Sequence, residues 1–201
     1  MVEIDYYFHC ASPLTYLGHA RICDLAERHK ATLRYKPVNP GDNRDTGGAQ
    51  SGPHPAALPI PPDLQRLAAA RGLSLHPAPK HRPVNSGLAD RVVIALVEAG
   101  HDPRYFVGKV LSGAWAQDDG VADPAMLASY LSQVGLDAAP ALIDAKTEEV
   151  AAIRERNSHE AIAAGAVAVP AYVFHGEAFV GPDRIDLLEE ALRTGRRAFP
   201  H

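Results

Sequence analysis

Strand-like patterns lie near the two ends of this 201-residue chain, and a long stretch of mainly helical patterns separates them. Residues 2–8 are β-branched and aromatic, and residues 32–38 alternate in polarity, so both segments predict strands. Residues 169–174 and 177–180 predict a hairpin that turns at residues 175–176. A sheet in this chain must therefore join segments that are far apart in sequence.

Helical patterns fill the rest of the chain. One follows the first strand over residues 13–29, and another closes the chain over residues 182–193. Residues 37–62 contain seven prolines and four glycines, which predicts a long irregular loop. The helices predicted between this loop and the hairpin cover residues 63–71, 86–99, 124–135 and 149–164.

Without its middle part, the chain reads β-α-β and then β-β-α, which is the order of a thioredoxin fold. We therefore predict an α/β protein with a thioredoxin-like fold and a helical domain inserted between its two halves. The thioredoxin-like domain would consist of residues 1–40 and 166–201, and residues 41–165 would form the inserted loop and α-helical domain.

Composition argues against several classes of partner. The net charge of −4 and the lack of long runs of like charge give no reason to expect nucleic acid binding. The longest apolar runs, such as residues 92–97, are too short to cross a bilayer, and no secretory signal pattern is visible. Cys10 and Cys23 form neither a CxxC pair nor a metal-binding spacing. We therefore expect a reduced, cytoplasmic protein without a metal.

Ser12 and Pro13 stand where the first strand gives way to the first helix. Proline suits the first helical position, so Ser12 is well placed as an N-cap. In a thioredoxin-like topology the reactive group also stands here, and the helix start stabilises an anion. The chain supplies no thiol at this place, so the Ser12 hydroxyl could donate a hydrogen bond to a ligand's thiolate. The residues alone leave both roles open.

Several motifs in this order resemble the 2-hydroxychromene-2-carboxylate isomerases, which are glutathione-dependent relatives of the kappa-class glutathione transferases and, more remotely, of DsbA. The resemblance covers nearly the whole chain. Its motifs are S-P-x-[ST]-Y-L at residues 12–17, PDLQRLA at 62–68, AWAQDDG at 114–120, RNSHEAIAAGAVAVP at 156–170 and G-x-D-R at 181–184.

The resemblance implies a cytoplasmic, homodimeric enzyme of aromatic (naphthalene-type) degradation. It would interconvert 2-hydroxychromene-2-carboxylate, a small aromatic carboxylate, and trans-o-hydroxybenzylidenepyruvate. Glutathione would be the cofactor, adding reversibly as a thiolate to the conjugated double bond. Ser12 would be the catalytic residue that holds this thiolate.

The resemblance also implies a set of contacts to glutathione. The backbone of Val169 would pair with the cysteinyl segment of the tripeptide, next to a cis peptide bond at Pro170. Pro182, Asp183 and Arg184 would open the last helix and hold the γ-glutamyl end, although relatives usually carry a polar residue where Pro182 stands. Without the resemblance, Pro170 would be read as an ordinary trans proline and residues 181–184 as a plain helix start.

Arg44, Asn85 and Trp115 are the candidate substrate-binding residues. Arg44 would bind the substrate carboxylate, with a solvated loop arginine as the alternative. Asn85 lies in PVNSGLADR (residues 83–91), which matches the stretch that lines the substrate pocket in the family, and it would also suit a helix N-cap. Trp115 would form a wall of the aromatic site, unless it is a core residue.

Three other functions compete with the isomerase. A kappa-class-like transferase would use the same thiolate but release the adduct, and a non-catalytic module would bind thiol peptides without turnover. A DsbA-like redox enzyme needs cysteines where this chain has Ser12 and Thr15, so redox catalysis by the protein itself is rejected.

Overall fold

The computed structural model describes residues 2–39, 60–77 and 80–199. Within these ranges the chain forms four strands, eight α-helices and one short π-helix. They are β1 (Val2–Phe8), α1 (Pro13–Arg28), β2 (Ala31–Pro37), α2 (Pro62–Ala70), α3 (Gly87–Glu98), α4 (Arg104–Ser112), the π-helix Gly113–Gln117, α5 (Pro124–Gln133), α6 (Ala138–Asp144), α7 (Glu148–Ala163), β3 (Ala171–Phe174), β4 (Glu177–Val180) and α8 (Ile185–Thr194).

The strands form one sheet in the order β2-β1-β3-β4. β1 runs parallel to β2, which the intervening α1 makes possible. It runs antiparallel to β3, with Tyr6 opposite Tyr172, and β3 and β4 form the antiparallel hairpin. Helices α2 to α7 lie between β2 and β3 in the chain. The predicted thioredoxin-like fold with a helical insertion is therefore confirmed.

One large hydrophobic core joins the sheet to the inserted helices. Tyr6 stacks between Phe8 at 4.5 Å and Tyr172 at 5.4 Å, as measured between ring centroids. The same cluster of buried side chains includes Val92 of α3 and Phe106 of α4. Packing is thus continuous between the two predicted domains, whose boundaries stay a prediction.

The described ranges contain neither a membrane-spanning helix nor a metal-binding cluster. No helix there combines the length and the apolar character that crossing a membrane requires. No three His, Cys, Asp or Glu side chains of those residues come together as a group that could hold a metal ion.

Candidate functional site

Ser12 caps α1, as predicted. β1 ends at Phe8, and the chain then turns so that the Ser12 N–H donates to the carbonyl of His9 at 3.2 Å. Ser12 has an extended backbone, and its Oγ accepts a hydrogen bond from the Thr15 N–H at 3.4 Å. Pro13 occupies the first helical position, where its missing N–H is not needed. The side chain of Ser12 is fully buried.

The capping role leaves the hydroxyl hydrogen of Ser12 available. The cap uses a lone pair of the oxygen, whereas the O–H has no acceptor among the described residues. The first turn of α1 contains no acidic residue that would offset the positive potential at the helix start. Both roles that the sequence left open are therefore compatible in this geometry.

The turn that carries Ser12 is held by side chains of the inserted helices. The Cys10 N–H donates to the buried carboxylate of Asp90 at 2.9 Å, and the Cys10 carbonyl accepts from the indole N–H of Trp115 at 3.4 Å. Asp90 is itself paired with Arg154 at 2.6 Å. The backbone two residues before Ser12 is thus fixed through both its donor and its acceptor.

The segment around Pro170 lies at the same edge of the sheet as Ser12. Tyr7 pairs with Ala171, so Pro170 lies beside the end of β1. The Val169-Pro170 peptide bond is cis, as predicted from the family resemblance. Val169 is buried, and neither its N–H nor its carbonyl has a hydrogen-bond partner among the described residues. Its backbone is free to pair with an extended ligand.

Residues 181–184 reach this edge too, but not as the first turn of the last helix. That prediction was wrong, because α8 begins at Ile185. Gly181 has a φ of +104°, a left-handed conformation that glycine adopts readily, and its carbonyl accepts from the Arg184 N–H at 3.2 Å. The chain makes a turn here before the helix starts.

The side chains of this turn differ in exposure. Pro182 is buried, whereas Asp183 and Arg184 are exposed and form an ion pair at 2.8 Å. The Gly181 N–H donates to the Pro170 carbonyl at 2.8 Å, which joins the turn to the Pro170 segment. The structure therefore brings the predicted glutathione-binding residues of 181–184 to the edge where Ser12 lies.

Arg71 was not predicted, since a lone arginine after a helix gives no signal in the sequence. Its guanidinium donates to the Leu17 carbonyl of α1 at 2.7 Å and to the Pro182 carbonyl at 3.0 Å. Burial lowers the pKa of Arg71, and the charge of Arg21 lowers it further. Arg71 thus fastens the 181–184 turn to the helix that Ser12 caps.

The predicted substrate-binding residues have different positions. Arg44 lies outside the described residues. Asn85 is exposed, and its Oδ1 accepts from the Gly87 N–H at 3.1 Å. It lies one residue before Ser86, which occupies the N-cap position of α3, so the alternative of Asn85 as the N-cap was wrong. Trp115 is buried in the core cluster, which agrees with its alternative as a core residue.

Arg82 is a second cation that the sequence analysis missed. Its guanidinium lies over the indole ring of Trp115, 4.7 Å from the ring centroid. Its Nε has no hydrogen-bond partner among the described residues. The segment before it is fixed because Asp118 accepts hydrogen bonds from the N–H groups of Lys80 and His81. Burial lowers the pKa of Arg82, whereas the charge of Asp118 raises it without forming an ion pair with Arg82 in the described part of the chain. The indole of Trp115 thus contacts both the Arg82 guanidinium and the turn of Ser12.

A wide groove in the described part of the chain lies elsewhere. It has a volume of about 650 Å³ and runs along β2 beside α3 and α7. No predicted site residue lines it, and basic side chains in it, such as Lys36, already pair with carboxylates, such as Glu160 at 2.6 Å. We therefore place the candidate site at Ser12.

Sequence relatives share a single name. The chain is 27% identical over 199 residues to a 2-hydroxychromene-2-carboxylate isomerase of Sphingobium xenophagum, covering 94% of this chain and 97% of the relative. It is 25% identical over 193 residues to a protein of the same name from Pseudomonas putida, covering 94% and 93%.

Solved structures share the fold. That of a 2-hydroxychromene-2-carboxylate isomerase matches with a TM-score of 0.72 at 22% identity, covering 96% of this chain and 95% of that one. The cytosolic disulfide reductase DsbM from Pseudomonas aeruginosa, with GSH, matches with a TM-score of 0.71 at 16% identity, covering 96% and 100%.

The sequence also matches the DSBA-like thioredoxin domain over residues 3–193, nearly its whole length. The sheet order, the capped helix after β1 and the cis proline before β3 agree with that match. The chain belongs to the DSBA-like thioredoxin domain family.

Proposed function

We propose that this protein is a glutathione-dependent isomerase that interconverts 2-hydroxychromene-2-carboxylate and trans-o-hydroxybenzylidenepyruvate in the degradation of aromatic compounds. The observation that carries the proposal is the Ser12 hydroxyl. It caps α1 with its oxygen and keeps its hydrogen free at the positive end of that helix. The relatives named as isomerases of this substrate support the reaction.

The residues at this edge fit a thiol tripeptide. The Ser12 O–H and the first amides of α1 would hold the sulfur anion and keep it ionised. The free backbone groups of Val169, next to Pro170, would pair with the cysteinyl segment like an added strand. When bound, glutathione would supply a thiolate that adds reversibly to the conjugated double bond of the substrate, so that the bond can rotate.

The 181–184 turn would hold the γ-glutamyl end of the tripeptide. The Asp183 carboxylate would bind the amine of the γ-glutamyl group and give up its ion pair with Arg184. Because that ion pair is exposed to water, its loss would cost little stability. Pro182 offers no N–H to the γ-glutamyl carboxylate, so the guanidinium of Arg184 is the group in this turn suited to it.

The substrate is a small aromatic carboxylate in this proposal. The buried indole of Trp115 donates to the Cys10 carbonyl in the turn of Ser12, and Arg82 lies on that ring with no ion pair to a described carboxylate. We propose that Arg82 binds the substrate carboxylate, together with Arg44, and that Asn85 contributes a polar contact. We also propose that the protein is a homodimer and acts in the cytoplasm.

The test compares wild type with Ser12→Ala in an assay that follows both isomers and glutathione. We expect turnover to fall roughly 10²- to 10⁴-fold, as for other positioned catalytic groups. The free energy of unfolding should fall by about 1 kcal/mol through the lost cap. Thr147→Ala is the matched control, since Thr147 caps α7 through the Val150 N–H at 3.3 Å. It should lose similar stability and keep full turnover.

The same assay separates the other functions. Unchanged turnover in Ser12→Ala would contradict the assignment of Ser12. Release of a stable glutathione adduct would instead indicate a kappa-class-like transferase. Glutathione binding without turnover of any substrate, and with no effect of Ser12→Ala, would indicate a non-catalytic thiol-peptide-binding module.

A further inference from the structure

The hydroxyl of Thr15 forms no hydrogen bond within the described part of the structure. The residue lies in the first turn of α1, and its side chain is fully buried. Its backbone N–H donates to Ser12 Oγ at 3.4 Å, whereas its own Oγ1 has no hydrogen-bond partner among the described residues. Because a buried polar group without a partner lowers stability, it calls for an explanation.

The usual partner of a threonine in a helix is absent here. Such a hydroxyl commonly donates to a carbonyl three or four residues earlier. Thr15 does not do so, and the Ser12 carbonyl instead accepts from the Tyr16 N–H at 3.2 Å. The Thr15 hydroxyl is therefore held out of water with its hydrogen unused.

The side chains of Thr15 and Ser12 lie close together at the start of α1. Residues three apart lie on the same face of a helix, so the two side chains meet at the start of α1. Ser12 receives a hydrogen bond from the backbone of Thr15 and not from its side chain, so neither hydroxyl hydrogen has an acceptor within residues 2–39, 60–77 and 80–199. The two groups form a pair of donors that lacks an acceptor.

We propose that Thr15 Oγ1–H is a second hydrogen-bond donor to the sulfur anion of the bound tripeptide, acting together with Ser12. This inference rests on the proposed function, because it requires a thiolate at the start of α1. A sulfur anion accepts more than one hydrogen bond, and two hydroxyl donors away from water stabilise the charged form more than one. Thr15 thereby contributes to the acidity of the bound thiol.

The test measures the pKa of enzyme-bound glutathione from the ultraviolet absorbance of the thiolate as a function of pH. Thr15→Val keeps the shape of the side chain and removes the hydroxyl. We expect it to raise the pKa of the bound thiol by about one unit, equivalent to about a tenfold loss of thiolate stabilisation. Thr15→Ser should restore the wild-type value.

A matched control separates this role from a general effect of a buried hydroxyl. Tyr172, on β3, also has a fully buried hydroxyl that pairs with no group in the described part of the structure. Tyr172→Phe and Thr15→Val should each keep or raise the melting temperature, because each removes an unpaired polar group. Only Thr15→Val should change the pKa of the bound thiol.

Three results would overturn the inference. A bound thiol of unchanged pKa in Thr15→Val would do so while leaving the proposed function intact. An equal shift in Tyr172→Phe would show that the effect is not specific to Thr15. If the wild-type protein itself does not acidify bound glutathione, the proposed function fails and this inference fails with it.

Discussion

At the scale of single residues, the site depends on the hydroxyl of Ser12 because the protein's own thiols are unsuitable. Cys10 and Cys23 are both buried. Burial raises the pKa of Cys23 to about 11 and holds that of Cys10 above its ordinary value, with the Asp90 charge adding to the effect at Cys10. Neither thiol is ionised near neutral pH, so a reactive sulfur anion at α1 would have to come from a ligand.

The variant Arg82→Gln tests the proposal that Arg82 binds the substrate carboxylate. We expect the substrate concentration for half-maximal rate to rise roughly 10- to 100-fold with little change in turnover number, the scale of a lost hydrogen bond to a charged group. Steady-state kinetics at saturating glutathione measure it. Arg66→Gln removes an exposed arginine of α2 and should leave both constants unchanged. An unaltered half-saturation concentration in Arg82→Gln would contradict the role.

Prediction from the sequence worked for local structural features of the candidate site, namely the cap at Ser12 and the cis bond at Pro170. Ser12 was found from its place before Pro13, and the cis bond at Pro170 from the family resemblance. Arg71 and Arg82 were missed because their roles depend on contacts with segments distant in the chain. An arginine in an exposed turn and one that lies on a buried indole look alike in a sequence.

At the scale of elements, α1 joins the site to the core through His19. Its Nε2 donates to the Arg104 carbonyl at 3.0 Å, and its Nδ1 lies 3.5 Å from the Tyr6 hydroxyl. The residue is buried, and this burial lowers its pKa to about 4. The folded protein therefore contains the neutral imidazole over most of the acidic range.

The lowered pKa of His19 predicts how the stability of the fold depends on pH. Between pH 6.5 and about 4 the unfolded chain binds a proton at His19 that the folded chain does not. The free energy of unfolding should therefore fall as the pH falls through this window, by up to about 3 kcal/mol from this group. Urea unfolding at several pH values measures it.

A comparison of two variants tests whether His19 causes this pH dependence of the unfolding free energy. His19→Gln should reduce the difference in unfolding free energy between pH 7 and pH 4, whereas His175→Gln, at an exposed turn, should not. An identical pH dependence in wild type and His19→Gln would show that other groups cause the loss.

Element prediction failed where packing outweighs local pattern. α4 was missed because aromatic and β-branched residues and Gly108 weaken its helical signal, yet it buries Phe106, Val107, Val110 and Leu111. The short α6 and the π-helix Gly113–Gln117 were missed as well. Helices with a cap signal, such as Asp123 before Pro124 of α5, were predicted correctly.

At the scale of the whole molecule, the buried carboxylate of Asp90 links the inserted helices to the turn before Ser12. Asp90 of α3 pairs with Arg154 of α7, accepts from Ser86 Oγ at 2.7 Å and holds the Cys10 N–H. The pair therefore ties the turn before Ser12 to the inserted helices. Loss of the Asp90 carboxylate would leave the partly buried guanidinium of Arg154 and the buried N–H of Cys10 without their acceptor.

Asp90→Ala should therefore lower the free energy of unfolding by about 3–5 kcal/mol, the range for breaking a buried ion pair. Chemical denaturation measures it. Asp63→Ala removes an exposed carboxylate that pairs with Arg66 and should cost less than about 1 kcal/mol. Equal stability of the two variants would show that the Asp90 network contributes nothing to the fold.

The strand order has a consequence for synthesis. β1 lies inside the sheet, but its neighbour β3 begins at residue 171, so the ribosome makes more than 160 residues after β1 before that pairing can form. Until then, one side of β1 keeps its backbone groups unpaired, a state that favours association between nascent chains. The helices made in between bury the aromatic face of β1 in the finished protein, and they are the first part of the chain able to shield it.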